Sequence, residues 1–294
     1  MEKAVYHLPG LFEFYDFYRK FLPIYREKTE YFYDWCQIGS LYGAPADCLW
    51  AGGRVSSGNA DPRQVLALTE EYGLSARLTF SNSLLRPEHL KDPKCNRLCA
   101  LFGAEPGNGV IVHSELLLDY LKEKYPNFYF VSSTTKGLTD FEDLAAETER
   151  PDFRYVVPDF RLNKAFDRLA GLKEKRKVEF LCNECCWPGC RERKACYENV
   201  SRKNLGERCP DHICAAPEGE KGYRFSAAMK NPAFIGIRDI RETYLPMGFS
   251  QFKIEGRGLG SAMLLEFILY YLTKPEYQLP LREEMYLDSM LDLF

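Results

Sequence analysis

Long apolar segments are absent from this 294-residue sequence. No stretch reaches the roughly 18 consecutive apolar residues that a membrane-spanning helix needs, and the segment from Met1 to Val5 lacks the apolar core of a signal peptide. The formal net charge is only −3, which implies no bulk attraction to nucleic acid or to acidic membranes. We therefore expect a cytoplasmic protein that has no membrane partner.

Cysteine, in contrast, is abundant, with 11 residues in the chain. Thiols stay reduced in the cytosol, so we expect burial or metal binding rather than disulfides. Four of them stand among apolar neighbours, as buried core cysteines do: Cys36, Cys48, Cys95 and Cys99. The other seven lie between Cys182 and Cys214 among Arg, Lys, Glu and Asn, and this setting favours metal binding.

Short apolar runs alternate with amphipathic helical patterns along the chain, as in repeated βα units. Asp61 before Pro62 predicts the start of one helix, and Ser114 predicts the start of another. The predicted strands are Ala4 to His7, Trp35 to Gly39, Ala76 to Phe80, Val110 to His113, Phe128 to Val131, Tyr155 to Val157, Val178 to Leu181 and Gln251 to Ile254.

Eight strands in a chain of this length favour an α/β fold, a (β/α)8 TIM-type barrel, over an open doubly wound sheet. We expect residues 1–294 to form this single barrel domain. A cysteine-rich, metal-binding insert at 182–230 follows the seventh strand.

Polar residues follow the predicted strands at their C-terminal ends, where barrel enzymes place their chemistry. The candidate substrate-binding residues at these ends are Asn82, His113, Ser132, Thr134, Lys136, Asp159, Arg161 and Asn183. Alternation along a strand puts Ser132, Thr134 and Lys136 on one face, where Lys136 is a candidate for binding anions.

The last predicted strand carries charges on one face. Lys253, Glu255 and Arg257 share this face, and the apolar pair Phe252 and Ile254 lies on the other. We expect the apolar pair to contact helices and the charged trio to point into the barrel mouth. A buried Glu beside Lys or Arg can also be a purely structural pair, and this alternative remains open.

The thiols of the insert are spaced irregularly. Soft thiolates select zinc or iron–sulfur clusters, and the basic residues near them offset the charge of an anionic cluster. A structural zinc site usually has two Cys-x2-Cys pairs, but only Cys182 and Cys185 have that spacing. The Cys-x3-Cys-x2-Cys motif of radical adenosylmethionine enzymes is not matched either, because Arg193 occupies its third position.

Two segments of the sequence resemble the collagenase-like peptidase family, U32. They are Asn183-Glu184-x-Cys186-x3-Cys190 followed by Cys209-Pro210, and the later run from Phe252 to Arg257. The resemblance implies a barrel fold with a four-cysteine [4Fe–4S] cluster in several members. The family contains proteins called proteases as well as oxygen-independent hydroxylation proteins for quinone precursors and RNA bases. The longer Gly-Ser-x-Cys protease signature is absent here, which favours the redox branch.

The resemblance also suggests roles for individual residues. It implies Cys186, Cys190 and Cys209 as metal ligands, with Cys196 as the fourth because relatives often have histidine at that position. The alternatives for the fourth ligand are Cys36, Cys182, Cys185 and Cys214. Glu184 is the candidate acid or base, and Glu255, Arg257 and Lys253 are candidates to act on or orient the substrate.

We therefore expect a redox enzyme of the oxygen-independent hydroxylation type. Its substrate would be polar or anionic, either a small molecule or an RNA base, and an electron donor or another partner protein would assist it. One alternative is a metal-dependent hydrolase or peptidase, with zinc in place of the cluster and Glu184 as the base. The other is a non-enzymatic iron–sulfur partner protein.

Overall fold

Parallel strands form the centre of the protein, in a computed structural model that describes residues 2–53, 58–217, 219, 224–256 and 258–291. The strands of these residues are β1 (Ala4–Pro9), β2 (Cys36–Gly43), β3 (Ser75–Phe80), β4 (Gly109–Val112), β5 (Tyr129–Ser132), β6 (Phe153–Val156), β7 (Glu179–Leu181) and β8 (Gln251–Lys253). They pair in the order β6-β5-β4-β3-β2-β1-β8-β7. A single parallel bridge between Val156 of β6 and Val178, the residue before β7, nearly closes the barrel.

Helices connect the strands, as parallel pairing requires. Their bounds are α1 (Tyr15–Glu27), α2 (Pro62–Glu71), α3 (Pro93–Phe102), α4 (Glu115–Lys124), α5 (Phe141–Glu149), α6 (Phe166–Leu169), α7 (Arg193–Asn204), α8 (Phe225–Ala228), α9 (Ile237–Asp239), α10 (Ser261–Tyr271) and α11 (Gln278–Leu291). None of the helices in the described residues is both long and apolar enough to cross a bilayer. The predicted (β/α)8 barrel is confirmed, and its cysteine-rich insert carries α7 and α8 after β7.

The two predicted helix starts and the eight predicted strands lie at or near the positions of the observed ones. The Asp61 carboxylate accepts hydrogen bonds from the backbone at the start of α2, and the Ser114 hydroxyl accepts one at the start of α4. Each predicted strand overlaps an observed one, but β2 runs on to Gly43, four residues past its predicted end. The polar Ser40, just past the predicted end, belongs to the strand and lies 2.8 Å from His7 Nδ1 in the barrel interior.

Two apolar layers lie on opposite sides of the sheet. Phe252 and Ile254 belong to the large core between the strands and the helices, as the alternation of the last strand predicts. A smaller cluster fills the barrel interior: Tyr42, Ile111, Val131, Val157 and Leu181. This inner layer forms part of the base of the barrel mouth.

A buried charge network lies in the barrel interior. The Arg77 guanidinium donates to the Glu179 carboxylate at 2.5 Å, and Lys253 Nζ lies 3.5 Å from the other Glu179 oxygen. His7 lies beside the same pair, with its Nε2 3.4 Å from Arg77 and 3.5 Å from Glu179. Burial and the charge of Arg77 lower the pKa of His7 to about 3, so this imidazole is neutral at neutral pH.

We expect the free energy of unfolding to decrease as the pH falls from 7 to 5. In the unfolded chain His7 has the ordinary pKa near 6.5, so the unfolded state takes up the proton first and gains stability relative to the fold. One histidine with this shift accounts for on the order of 2 kcal/mol over that interval. Urea unfolding of wild type and His7→Gln at both pH values measures the effect. If both proteins showed the same pH dependence, the contribution of His7 would be contradicted.

Candidate functional site at the barrel mouth

The C-terminal ends of the strands open into a cavity of about 170 Å³. Its lining includes four of the candidate site residues from the sequence: Thr134, Glu184, Lys253 and Glu255. Cys185, an alternative for the fourth metal ligand, also lines it. Further lining residues were not among the candidate site residues: Tyr42, Thr79, Ser81, Ser133, Thr135 and Tyr197. Arg257 lies outside the described residues.

Glu184 is held rigidly at the junction of the barrel and the insert. One of its carboxylate oxygens accepts hydrogen bonds from the backbone N–H groups of Cys185 at 2.9 Å and Cys186 at 3.0 Å. The other accepts from Arg193 Nη2 at 2.7 Å. These donors fix the orientation of a nearly fully buried carboxylate at the edge of the cavity.

Glu255 follows β8 and is positioned by Asn183. The Glu255 backbone N–H donates to Asn183 Oδ1 at 2.7 Å, and Asn183 Nδ2 donates to the Glu255 carbonyl at 3.0 Å. Asn183 therefore joins the ends of β7 and β8 and does not line the cavity. Ligand atoms of Glu184, Cys185 and Glu255 all lie within 4.8 Å of one another.

Ser132 and Lys136 point away from the cavity. Both contact the Glu147 carboxylate of α5, Ser132 Oγ at 2.6 Å and Lys136 Nζ at 2.7 Å. Ser132, Thr134 and Lys136 were predicted to share one face, but of these three residues only Thr134 lines the cavity. The prediction is therefore wrong. A 3-10 turn at Thr134–Lys136 begins just beyond β5 and interrupts the alternation that the prediction assumed.

His113 reaches the cavity only through a chain of hydroxyl groups. Its Nδ1 lies 2.8 Å from Thr135 Oγ1, which donates to Ser133 Oγ, and Ser133 Oγ in turn donates to Ser81 Oγ. With the hydroxyl protons oriented this way, Nδ1 of His113 is the donor to Thr135. Burial and the charges of Lys136 and Lys194 lower the pKa of His113 to about 4.

Asp159, Arg161 and Asn82 attach the insert to the barrel. The buried Asp159 accepts from Arg161 Nε at 2.6 Å, and Arg161 Nη1 donates to the Cys190 carbonyl at 3.1 Å. Asn82 Nδ2 donates to the Ser201 carbonyl of α7 at 3.2 Å. The structure places these three candidate substrate-binding residues outside the cavity lining.

The scattered cysteines are buried, which confirms the interpretation of them as core residues. Cys48 and Cys95 contact each other, with their sulfur atoms 3.2 Å apart. Cys36 begins β2 at the end of the barrel opposite the mouth, and Cys182 is completely buried in the outer core. Burial raises the pKa values of both thiols. These two alternatives for the fourth ligand therefore lie apart from the exposed part of the insert.

The remaining candidate ligands are a group of thiols that lie in α7 or close to it along the chain. Within the described residues, no three of these sulfur atoms lie within 4.8 Å of one another. Cys186, Cys190, Cys196 and Cys209 are all partly exposed. Asn199 of α7 lies one turn after Cys196, and its Nδ2 is 3.5 Å from Cys209 Sγ. The other two alternatives, Cys185 and Cys214, are exposed.

Arg193, the first residue of α7, is buried between this thiol group and Glu184. Its side chain is only 5% exposed, yet Nε and Nη1 have no hydrogen-bond acceptor among the described residues. Burial alone would lower the pKa of Arg193, but Glu184, Tyr197 and Cys186 raise it above its usual value. From the sequence, Arg193 is a mismatch to a motif and one of the basic residues that offset the charge of a cluster, but neither role predicts its burial against Glu184.

Comparison with solved structures finds the same fold. The structure of the U32 peptidase Mk0906 matches with a TM-score of 0.54, over 88% of this chain and 94% of that chain, at 14% sequence identity. No family model and no curated protein matches the sequence. The structural match agrees with the resemblance that the two sequence motifs indicate, although a shared fold does not by itself establish an activity. The chain therefore has the barrel fold of this U32 peptidase.

Proposed function

We propose that this chain is a U32-like iron–sulfur barrel protein, and that it is a redox enzyme of the oxygen-independent hydroxylation type. The observation that carries the proposal is a set of four partly exposed thiols in the insert after β7, whose first residues Glu184 and Cys185 line the cavity at the barrel mouth. The substrate would be polar or anionic, a small molecule or an RNA base. With water as the source of the hydroxyl oxygen, hydroxylation removes two electrons and two protons from the substrate and water, and a redox partner protein would accept these electrons. A cytoplasmic location is consistent with reduced thiols.

The residues around the thiols fit an anionic cluster. Cys186, Cys190, Cys196 and Cys209 offer four soft donors, the ligand type that iron–sulfur clusters use. Arg193 adds a buried Nη1 that lacks a hydrogen-bond acceptor among the described residues, whereas its Nε lies 3.8 Å from the Asp159 carboxylate. Such a donor would be satisfied by thiolate or cluster sulfur, and hydrogen bonds of this kind tune a cluster's potential.

A cluster bound by these thiols would supply electron transfer or substrate activation. Glu184 would hold or move a proton at its carboxylate, since it borders the cavity while Arg193 ties it to the insert. Lys253 and Glu255 would orient the substrate from β8. The hydroxyl chain from His113 through Thr135 and Ser133 to Ser81 offers a path for protons toward the cavity.

A metal-dependent hydrolase or peptidase is the second candidate. Glu184, Cys185 and Glu255 bring three possible ligand atoms within 4.8 Å, and three protein ligands leave the open position that a catalytic zinc requires. In that case Glu184 would be a ligand, so it would not serve as the free base. A non-enzymatic iron–sulfur partner protein is the remaining alternative. It would need the thiols for the cluster but no substrate in the cavity.

Metal analysis separates these functions. We expect protein isolated without oxygen to be brown and to contain about four irons per chain with matching acid-labile sulfide, because four thiolates hold a [4Fe–4S] cluster. Iron, acid-labile sulfide and zinc are assayed on one sample, and its absorption spectrum is recorded. Stoichiometric zinc without sulfide would reject the cluster and favour the hydrolase.

A further inference from the structure

We propose that Cys48 and Cys95 form an oxidation site, at which a peroxide joins the two thiols in a disulfide and so fixes the loop after β2 to α3. We call residues 44–53 the mouth loop, because its last two residues, Gly52 and Gly53, line the cavity at the barrel mouth. The inference does not depend on the cluster, since neither thiol belongs to the insert. It is carried by the contact between the two sulfur atoms, by their surroundings and by the position of the loop.

The two sulfur atoms already touch each other. Cys48 Sγ lies 3.2 Å from Cys95 Sγ, although the two residues are 47 positions apart in the chain. A disulfide has an S–S distance of about 2.05 Å, so a movement of about 1 Å brings the two atoms to bonding distance. The fold therefore holds these thiols side by side before any oxidant arrives.

The surroundings give the two thiols different roles. The hydrogen bond to Cys48 and burial raise the pKa of the Cys95 thiol, so Cys95 keeps its proton and donates it toward Cys48 Sγ. A hydrogen bond to a thiolate favours the charged form, and the thiolate is the reactive form of cysteine. Cys48 is therefore the sulfur that attacks the oxidant, and Cys95 is the sulfur that closes the disulfide.

Hydrogen peroxide supplies the oxidising equivalents. The Cys48 thiolate attacks one peroxide oxygen, the O–O bond breaks, and a sulfenic acid forms while the released hydroxide takes up the proton that Cys48 lost. The Cys95 sulfur then displaces the hydroxyl group from Cys48, and the Cys95 proton leaves with it as water. The two thiols have lost two hydrogen atoms, and one peroxide has become two waters. Cytosolic reductants restore the thiols, so the disulfide is a transient state.

Burial limits which oxidants reach the pair. Cys48 is 3% exposed and Cys95 is completely buried. A cavity of about 620 Å³ is lined by Ala46, Lys94 and Leu98, which stand near the two thiols in the chain, but the thiols themselves do not line it. Lys94 Nζ donates to the Ala46 carbonyl at 2.5 Å and so joins the mouth loop to α3 beside this cavity. A molecule close to water in size can pass from the cavity to Cys48, whereas a bulky thiol reagent needs the loop to open.

The mouth loop transmits the oxidation to the barrel mouth. The Trp50 carbonyl accepts from the Asn82 backbone N–H at 3.1 Å, and the Ala51 carbonyl accepts from Asn204 Nδ2 of α7 at 2.7 Å. The loop thus contacts both the end of β3 and the insert. A covalent bond at Cys48 restricts the local opening of these contacts, so the redox state of the pair controls the mobility of this part of the mouth.

Peptide mapping of the whole protein after treatment with hydrogen peroxide tests the link. Trypsin separates Cys48, in peptide 29–54, from Cys95, in peptide 95–97, and from Cys99 in the peptide that follows. We expect peptides 29–54 and 95–97 to be joined, with a mass two hydrogen atoms below their sum, and dithiothreitol to separate them. A link to Cys99 in place of Cys95, or Cys95 left as a thiol in excess peroxide, would overturn the proposal.

Serine variants assign the sulfur atoms. Cys36→Ser is the matched control and should keep the link, because Cys36 shares the tryptic peptide of Cys48 but begins β2 at the opposite end of the barrel. Cys95→Ser should lose the link and leave Cys48 as a sulfenic acid, which dimedone labels. Cys48→Ser should leave Cys95 as an unmodified thiol, and dimedone labelling of Cys95 in this variant would contradict the assigned roles. The map of the wild-type protein decides the link even if a variant fails to fold.

Hydrogen exchange tests the effect on the mouth loop. The Ala51 amide donates to the Cys48 carbonyl, and its exchange should slow by at least about tenfold on oxidation of the wild type but not of Cys95→Ser. The Leu118 amide of α4 donates to the Ser114 carbonyl and should exchange equally in all samples. Equal exchange of the Ala51 amide before and after the link forms would reject the effect on the loop. A chain that forms the link without containing iron rejects the cluster alone.

Discussion

Alanine in place of Cys186 or Cys190 is expected to abolish metal retention. A cluster held by four thiolates loses one of its bonds to protein, and the remaining ligands cannot close the site. Both residues lie in the partly exposed thiol group near α7. Iron and sulfide per chain in anaerobically purified variants measure the effect, and we expect both to fall from about four to near zero.

Cys48→Ala and Cys95→Ala provide the matched controls. These two thiols contact each other in the core and are far from solvent, so their loss should leave the iron content unchanged. Parallel Cys196→Ala and Cys214→Ala variants decide which thiol is the fourth ligand. If all of these variants, including those at Cys186 and Cys190, held equal iron, the ligand assignment would be rejected.

Much of the barrel follows from local patterns. Apolar β-rich runs predict every strand to within a few residues, and Asp61 and Ser114 predict two helix starts, because these signals depend on neighbouring residues alone. Period-two alternation also predicts correctly that Lys253 and Glu255 face the cavity. The end of β2 escaped prediction because a polar residue such as Ser40 can face either a turn or a polar barrel interior.

The site is less predictable, because it depends on contacts between distant parts of the chain. Arg77 and Glu179 are 102 residues apart, and nothing near either residue indicates that they pair. Asn183 and Arg161 were chosen as polar residues at strand ends, yet both fix the backbone rather than line the cavity. Thr79 and Ser81 could have been predicted from the sequence, because alternation from Arg77 puts all three residues on the inner face of β3 and its C-terminal end.

The buried Arg77–Glu179 pair yields the largest expected effect on stability. Glu179→Gln keeps the shape of the side chain but removes the carboxylate that pairs with Arg77 and contacts Lys253 in the barrel interior. Burial by itself raises the pKa of Glu179, but the positive charges of Arg77 and Lys253 outweigh it and hold the pKa at about 2, so the lost group is fully ionised at neutral pH. Breaking a buried pair in this way costs about 3–5 kcal/mol. Urea unfolding at pH 7 measures the loss.

A surface pair supplies the control for this loss. Arg238 and Glu242 form an exposed pair one helical turn apart, and Glu242→Gln should change the free energy of unfolding far less than Glu179→Gln does. The double variant Arg77→Met with Glu179→Leu should recover part of the loss, since an apolar replacement removes the desolvated charges as well as their attraction. A Glu179→Gln protein as stable as the Glu242→Gln protein would show that water or a rearranged network already compensates Arg77. The barrel interior would then be more hydrated, or more able to rearrange, than the burial of its side chains indicates.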